Sequence, residues 1–224
     1  MKPSAKRLFE QSRAHLEKGE VGKAVHVLKQ AIAEEPDDVS LWAEMYRQCM
    51  LAKSPQSALT AARELRRINP ADANYIYMHG IAALTSGQAQ EAATLLEEAL
   101  QRLPQATHVR RTLVQVLEAL KKPERARQIL QEAVDRAPTD PVAVNDLALL
   151  LLKQGEEGKR TAEPLLRRVL SAHPDDLATH LNLALALADR DAEAALDHAD
   201  RAKESPDLAI REQAQRLYQL LVRH

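Results

Sequence analysis

The 224-residue sequence has one cysteine, one phenylalanine, one tryptophan and six glycines, and aromatic residues make up only 3% of it. A single cysteine, Cys49, excludes a disulfide framework and favours a reducing compartment. Rings normally dominate core burial, so a core with so few of them must be built from closely packed aliphatic side chains. Neither sign of charge prevails: 31 Lys and Arg stand against 32 Asp and Glu, a net charge of −1. Nucleic-acid binders normally carry a basic excess or stripe, so no nucleic-acid partner is expected. The longest apolar run, "LALLLL" at 147–152, is too short to span a bilayer, and direct membrane insertion is not expected. The opening "MKPSAKRLFEQSRAHLEKGE" has no apolar run of signal-peptide length. These features predict a cytoplasmic protein, or an extracytoplasmic one if the sequence is an excised domain.

Signs of catalysis are equally scarce. There is no glycine-rich phosphate loop and no G-x-S-x-G. The eight histidines are His15, His26, His79, His108, His173, His180, His198 and His224, and no two lie three or four apart on one helix, as a helical metal site would require. His15, His79 and Cys49 fall at packing positions, where a satisfied imidazole and a small hydrophobe are expected. Acid pairs such as Asp37-Asp38 and Asp175-Asp176 follow prolines, where carboxylates favour the positive start of the next helix. No enzyme activity, metal or cofactor is expected.

What the sequence does have is a period. Pro36, Pro70, Pro104 and Pro138 are each separated by 34 residues. Twelve residues before Pro36, Pro70, Pro104, Pro138, Pro174 and Pro206 stand Ala24, Ala58, Ala92, Ala126, Ala162 and Ala194. Eight before come Leu28, Ala62, Leu96, Leu130, Leu166 and His198; five before come Ala31, Leu65, Ala99, Ala133, Val169 and Arg201. Offsets of four and three mark one face of a helix, and proline then ends it. A fixed alanine implies that another helix comes too close for anything larger. A second stripe precedes each of these, as in Ile76, His79, Gly80 and Ala83, with breakers such as Gly19, Gly87, Gly155, Pro55 and Pro123 between the two.

Each repeat is therefore predicted as helix, turn, helix. Four span 5–38, 39–72, 73–106 and 107–140. A fifth spans 141–176, with its extra residues in the "GEEGKR" turn, and a degenerate sixth spans 177–207. The segment 208–224 is predicted as a capping helix over the last apolar face. The whole chain, 1–224, is expected to be a single all-α domain of about thirteen helices.

This pattern resembles the tetratricopeptide repeat family, most closely in "GIAALTSGQAQEAATLLEEALQRLP", which carries Gly80, Ala83, Gly87, Ala92, Leu96, Ala99 and Pro104. Gln11, His15, His79 and Arg110 depart from it, at positions that are usually apolar. The resemblance implies a right-handed superhelical solenoid and a protein-protein interaction scaffold that binds a peptide segment or helix of a partner protein. Some members of the family clamp a C-terminal carboxylate with Lys and Asn. The matching places here hold Phe9 and Arg13, then Glu44, then Asn74 and Met78, so that clamp is missing.

In such a solenoid the first helices line a concave groove. Their groove-facing register gives Phe9 and Arg13, then Arg47, then Asn74, Tyr77, Ile81 and Leu84, then Arg111 and Gln115, then Asn145 and Leu149, then Leu181. Leu149, Leu152, Leu181 and Leu185 either face the groove or pack between repeats. Tyr77 with the three arginines is the more persuasive set, because Tyr and Arg are enriched among interface anchors. The alternatives are a self-associating scaffold that forms homo-oligomers through its apolar ends, or the interaction domain of a larger enzyme or secretion machine.

Overall fold

The computed structural model describes residues 1–223. His224, placed above in the terminal helix, lies outside the described residues. The described residues form helices and turns with no strand, and none of the helices is long and apolar enough to cross a membrane. The chain divides into two compact units, Met1–Lys121 and Lys122–His224.

The N-terminal unit holds α1 (Pro3–Glu17), α2 (Val21–Glu34), α3 (Val39–Leu51), α4 (Pro55–Ile68), α5 (Ala73–Thr85), α6 (Ala89–Arg102) and α7 (Thr107–Ala119). The C-terminal unit holds α8 (Pro123–Arg136), α9 (Pro141–Leu152), α10 (Gly155–Ala172), α11 (Leu177–Leu187), α12 (Ala192–Ala202) and α13 (Leu208–Leu221). Within the units, α1 with α2, α3 with α4, α5 with α6, α9 with α10 and α11 with α12 pack as helical hairpins. The repeating alanines explain the closeness of that packing. Ala24, Ala58, Ala92, Ala126 and Ala162 are fully buried, as are Leu28, Leu65, Leu96, Ala99 and Leu166. Gly80 serves the same end from the other side of its hairpin, since a β-carbon there would stand 3.1 Å from Leu96 Cγ.

Local signals set the helix ends. Asp38, Asp72, Asp140, Asp176 and Asp207 begin α3, α5, α9, α11 and α13, each accepting hydrogen bonds from backbone N–H groups of the first turn. The turns after α1, α3, α5, α7 and α9 have a period of their own. Gly19, Lys53, Gly87, Lys121 and Gly155, each 34 residues after the last, take positive φ. After the first three, Glu20, Ser54 and Gln88 donate N–H bonds of 2.8–2.9 Å back to His15, Cys49 and Ala83, closing the helix ends.

Three expectations need correction. In α12 the buried residues are Ala195, Ala199 and Ala202, one position on from Ala194, His198 and Arg201. α12 starts 14 residues before Pro206, where α2, α4, α6 and α8 each start 15 before their proline, so counting back from the proline lands one position short, although the buried alanine is the fourth residue of the helix in all five. "GEEGKR" is not a turn but the first part of α10, which at 18 residues is the longest helix described. Buried Gly158 lets that turn of α10 cross the end of α9, because a β-carbon there would lie 1.9 Å from the Leu151 carbonyl oxygen. Gln11 is exposed, whereas Met45, His79 and Leu113 at the same place in the next three repeats are buried.

Gly158→Ala is expected to destabilise the protein by about 3 kcal/mol in chemical denaturation, because backbone rather than a flexible side chain must move. Lys53→Gly should stabilise it by about 1 kcal/mol by relieving a left-handed residue that has a β-carbon.

Candidate partner-binding faces

The first helices of the N-terminal unit carry nine of the twelve residues assigned to the groove. Arg13, Arg47, Asn74, Arg111 and Gln115 are exposed, while Phe9, Tyr77, Ile81 and Leu84 are half-buried. Tyr77, Ile81 and Leu84 lie on one face of α5, at spacings of four and three. The Tyr77 ring meets His108 of α7 edge-on, with centroids 5.0 Å apart at 88°. Burial pushes the Tyr46 hydroxyl up to about 12, and neighbouring Tyr77 adds to the effect.

Arg47 is less available than its sequence position suggests. Its guanidinium forks onto Glu44, with Nη2 donating at 2.5 Å and Nε at 2.9 Å. Gln48 Nε2 donates to the same carboxylate and to Ser12 Oγ, both at 2.8 Å, and Ser12 Oγ donates to the Ala24 carbonyl at 2.8 Å. Burial pushes the Glu44 carboxyl up, but the bonds from Arg47 and Gln48 outweigh it and hold it below the usual range. This network ties α1, α2 and α3 together and uses much of the Arg47 charge internally.

In the C-terminal unit two assigned residues leave the accessible set. Asn145 is 8% exposed and acts as a polar tie between helices. Its Nδ2 donates to Thr179 Oγ1 at 2.9 Å and Asp176 Oδ1 at 3.3 Å, and its Oδ1 accepts from Asn182 at 2.8 Å. Leu181 is 4% exposed and forms a cluster with Ala202 and Ala214, against which Leu185, Ile210 and Leu217 pack. The terminal helix α13 therefore covers Leu181 and part of Leu185, resolving the choice between groove and packing in favour of packing. Leu149 remains 48% exposed, and with Leu152 it lines a cleft described further below.

One pairing was invisible in the sequence. His180 and His198 are 18 residues apart on different helices, yet their Nδ1 atoms lie 2.8 Å apart. His180 Nε2 donates to the Pro174 carbonyl at 2.9 Å, leaving its Nδ1 to accept the proton carried by His198. Trp42 does the same work in the second repeat, its Nε1 donating to the Pro36 carbonyl at 2.6 Å. Both rings sit six residues after the proline they hold, so this is a structural tie shared by repeats. Among the described residues no group of three or more His, Cys, Asp or Glu is placed to hold a metal ion.

His15 meets the expectation of a satisfied imidazole, with Nδ1 2.7 Å from Glu20 Oε2. His79 does not. It is 6% exposed and neither ring nitrogen has a hydrogen-bond partner; Nε2 lies 3.6 Å from Glu91. Cys49 is buried beside Met45, and burial pushes its thiol up, away from reactivity.

Sequence models of the tetratricopeptide repeat match residues 83–150 and 145–209. The chain belongs to the tetratricopeptide repeat family. Its fold is similar to that of a tetratricopeptide repeat protein from Parabacteroides merdae (15% identity, covering 99% of this chain and 100% of that one, TM-score 0.62). It is also similar to that of MamA (15% identity, 78% and 94%, TM-score 0.62). A third similar structure is YrrB, described as a TPR protein with an unusual peptide-binding site (21% identity, 84% and 97%, TM-score 0.55). A search of curated proteins by sequence gave no match.

The histidines yield a pH prediction. Burial, foremost, holds His79 below the ordinary 6.5, with Arg66 and Arg63 adding to it against Glu91 and Glu98. His198 is lowered by burial first, then by His180, Arg201 and Arg167. From 6.5 down to these lowered values the unfolded chain binds more protons than the folded one. Stability is therefore lost as the pH falls through that window. The urea midpoint is expected to be lower at about pH 5.5 than at about pH 7. His79→Leu should flatten that slope and raise stability at pH 7 by about 1 kcal/mol, since it replaces a buried polar group without partners.

Proposed function

We propose that this protein is a non-enzymatic interaction scaffold, and that the first-helix face of its N-terminal unit binds a peptide segment or helix of a partner protein. The observation that carries this reading is the half-buried row of Tyr77, Ile81 and Leu84, with Arg111 exposed on the next first helix, α7, and Arg13 exposed on α1. Apolar anchors on a prepacked helix can supply affinity without ordering a loop, and flanking cations speed encounter with acidic segments. Family membership supports the scaffold role, and the peptide-binding site described for YrrB supports the kind of ligand. Arg47 is assigned a lesser part, because Glu44 already matches its charge.

Partners captured by affinity purification and identified by mass spectrometry provide the ligands for the test. Tyr77→Ala is expected to weaken the binding of such a partner by about 1–3 kcal/mol. Arg111→Ala is expected to lower the on-rate and its salt dependence more than the off-rate. A folded Tyr77→Ala/Arg111→Ala variant that binds as tightly as the unsubstituted protein would refute the assignment.

A further inference from the structure

The C-terminal unit carries a second surface of different chemistry. A cleft of about 490 Å³ is lined by Leu149, Leu152 and Lys153 of α9 and its end, Leu185 of α11, and Gln213, Arg216, Leu217 and Leu220 of α13. Leu185 and Leu217 pack on the buried Leu181–Ala202–Ala214 cluster, so the base of the cleft is anchored in the core. Leu149 and Leu220 stand out from it, 48% and 56% exposed. Leucines so exposed on two helices bordering one cleft form a contiguous apolar patch, unlike the scattered apolar residues of an ordinary surface. On α9 and on α13 the leucines are three residues apart, the spacing of ridges between which another helix can lie.

The polar lining has one sign. It consists of Lys153, Gln213 and Arg216, with no carboxylate. The Arg216 side chain is 77% exposed, and its bond to Glu212 is a long 3.6 Å, so little of its charge is used within the chain. A second copy of this chain presenting its own α13 would bring two cations, Arg211 and Arg216, and one anion, Glu212, so a net positive helix, against these cations.

We infer that the cleft binds an amphipathic helix of a partner protein, with leucine-like side chains along one face and acidic residues flanking them. The inference rests on the scaffold reading but not on the Tyr77 face. The terminal helix then has a double role: it covers Leu181 and builds one wall of the site.

The test titrates the full chain with a labelled synthetic helical peptide bearing leucines at i, i+3, i+4 and i+7 and glutamates beside them. A counterpart carries lysines in place of the glutamates. The glutamate peptide is expected to bind saturably, and the lysine peptide about tenfold or more weakly. Leu149→Glu and Leu220→Glu should each weaken the glutamate peptide about tenfold or more, and Arg216→Glu should reverse the preference between peptides. Thermal melting checks each fold, with Leu149→Ala and Leu220→Ala as milder substitutes. Absence of saturable binding, equal binding of both peptides, or binding that survives the Leu149→Glu/Leu220→Glu double variant would overturn the proposal. A loss caused equally by Tyr77→Ala would move the peptide to the N-terminal face and overturn it too. So would self-association that Leu149→Glu abolishes in a protein that ignores the peptide, since the cleft would then belong to a second copy.

Discussion

The close approach of paired helices is the constraint from which the other features follow. Fully buried alanines recur at one position of every second helix from Ala24 to Ala162, and Gly80 meets Leu96 from the facing helix. Interiors pack like crystals, so a larger side chain at such a point would push the helices apart and open a void beside it. With few rings available, the core gains its burial from many small contacts, and that demands short distances between helices. On the first helix α5, Tyr77, Ile81 and Leu84 share one half-buried face, with Tyr77 edge-on to His108 of α7.

Polar ties hold the hairpins together where apolar packing runs out. Aspartates cap four of the first helices and the terminal helix α13, and ring N–H groups of Trp42 and His180 bind the carbonyls of the prolines that ended the previous helix. Ion pairs link successive repeats: Arg66 of α4 meets Glu98 of α6 at 2.8 Å, and Arg67 of α4 meets Asp37 in the loop before α3. The buried links, such as Gln48 with Ser12 and Asn145 with Thr179, join first helices to first helices. A buried polar group left without a partner is expensive, so these links specify one stacking register as well as adding to stability. His79 stands apart as a buried imidazole with no such link.

The two compact units present surfaces of different character. The N-terminal unit combines an aromatic residue with arginines, some of whose charge is matched internally by Glu44. The C-terminal unit presents leucines bordered by Lys153 and Arg216.

Most of the fold was legible because it is periodic. The prolines spaced by 34, the alanines twelve before them and the glycine turns are local features whose physical consequences do not depend on distant residues. The register failed in α12, which starts one residue nearer its proline than α2, α4, α6 and α8 do, so that Pro206 no longer marks the stripe. It failed again at "GEEGKR", where Gly158 permits a contact with the Leu151 carbonyl that no local rule anticipates. The site was less legible for the same reason. Helical spacing put Asn145, Leu149 and Leu181 on one kind of face, but α13 and Thr179, far along the chain, decided that only Leu149 remains open. The pairing of His180 with His198 and the fork of Arg47 on Glu44 likewise depend on how side chains meet in space. Sequence by itself determined the helices and their repeat, because those arise from neighbours along the chain; tertiary structure alone decided exposure and partnership, because those arise from neighbours across it.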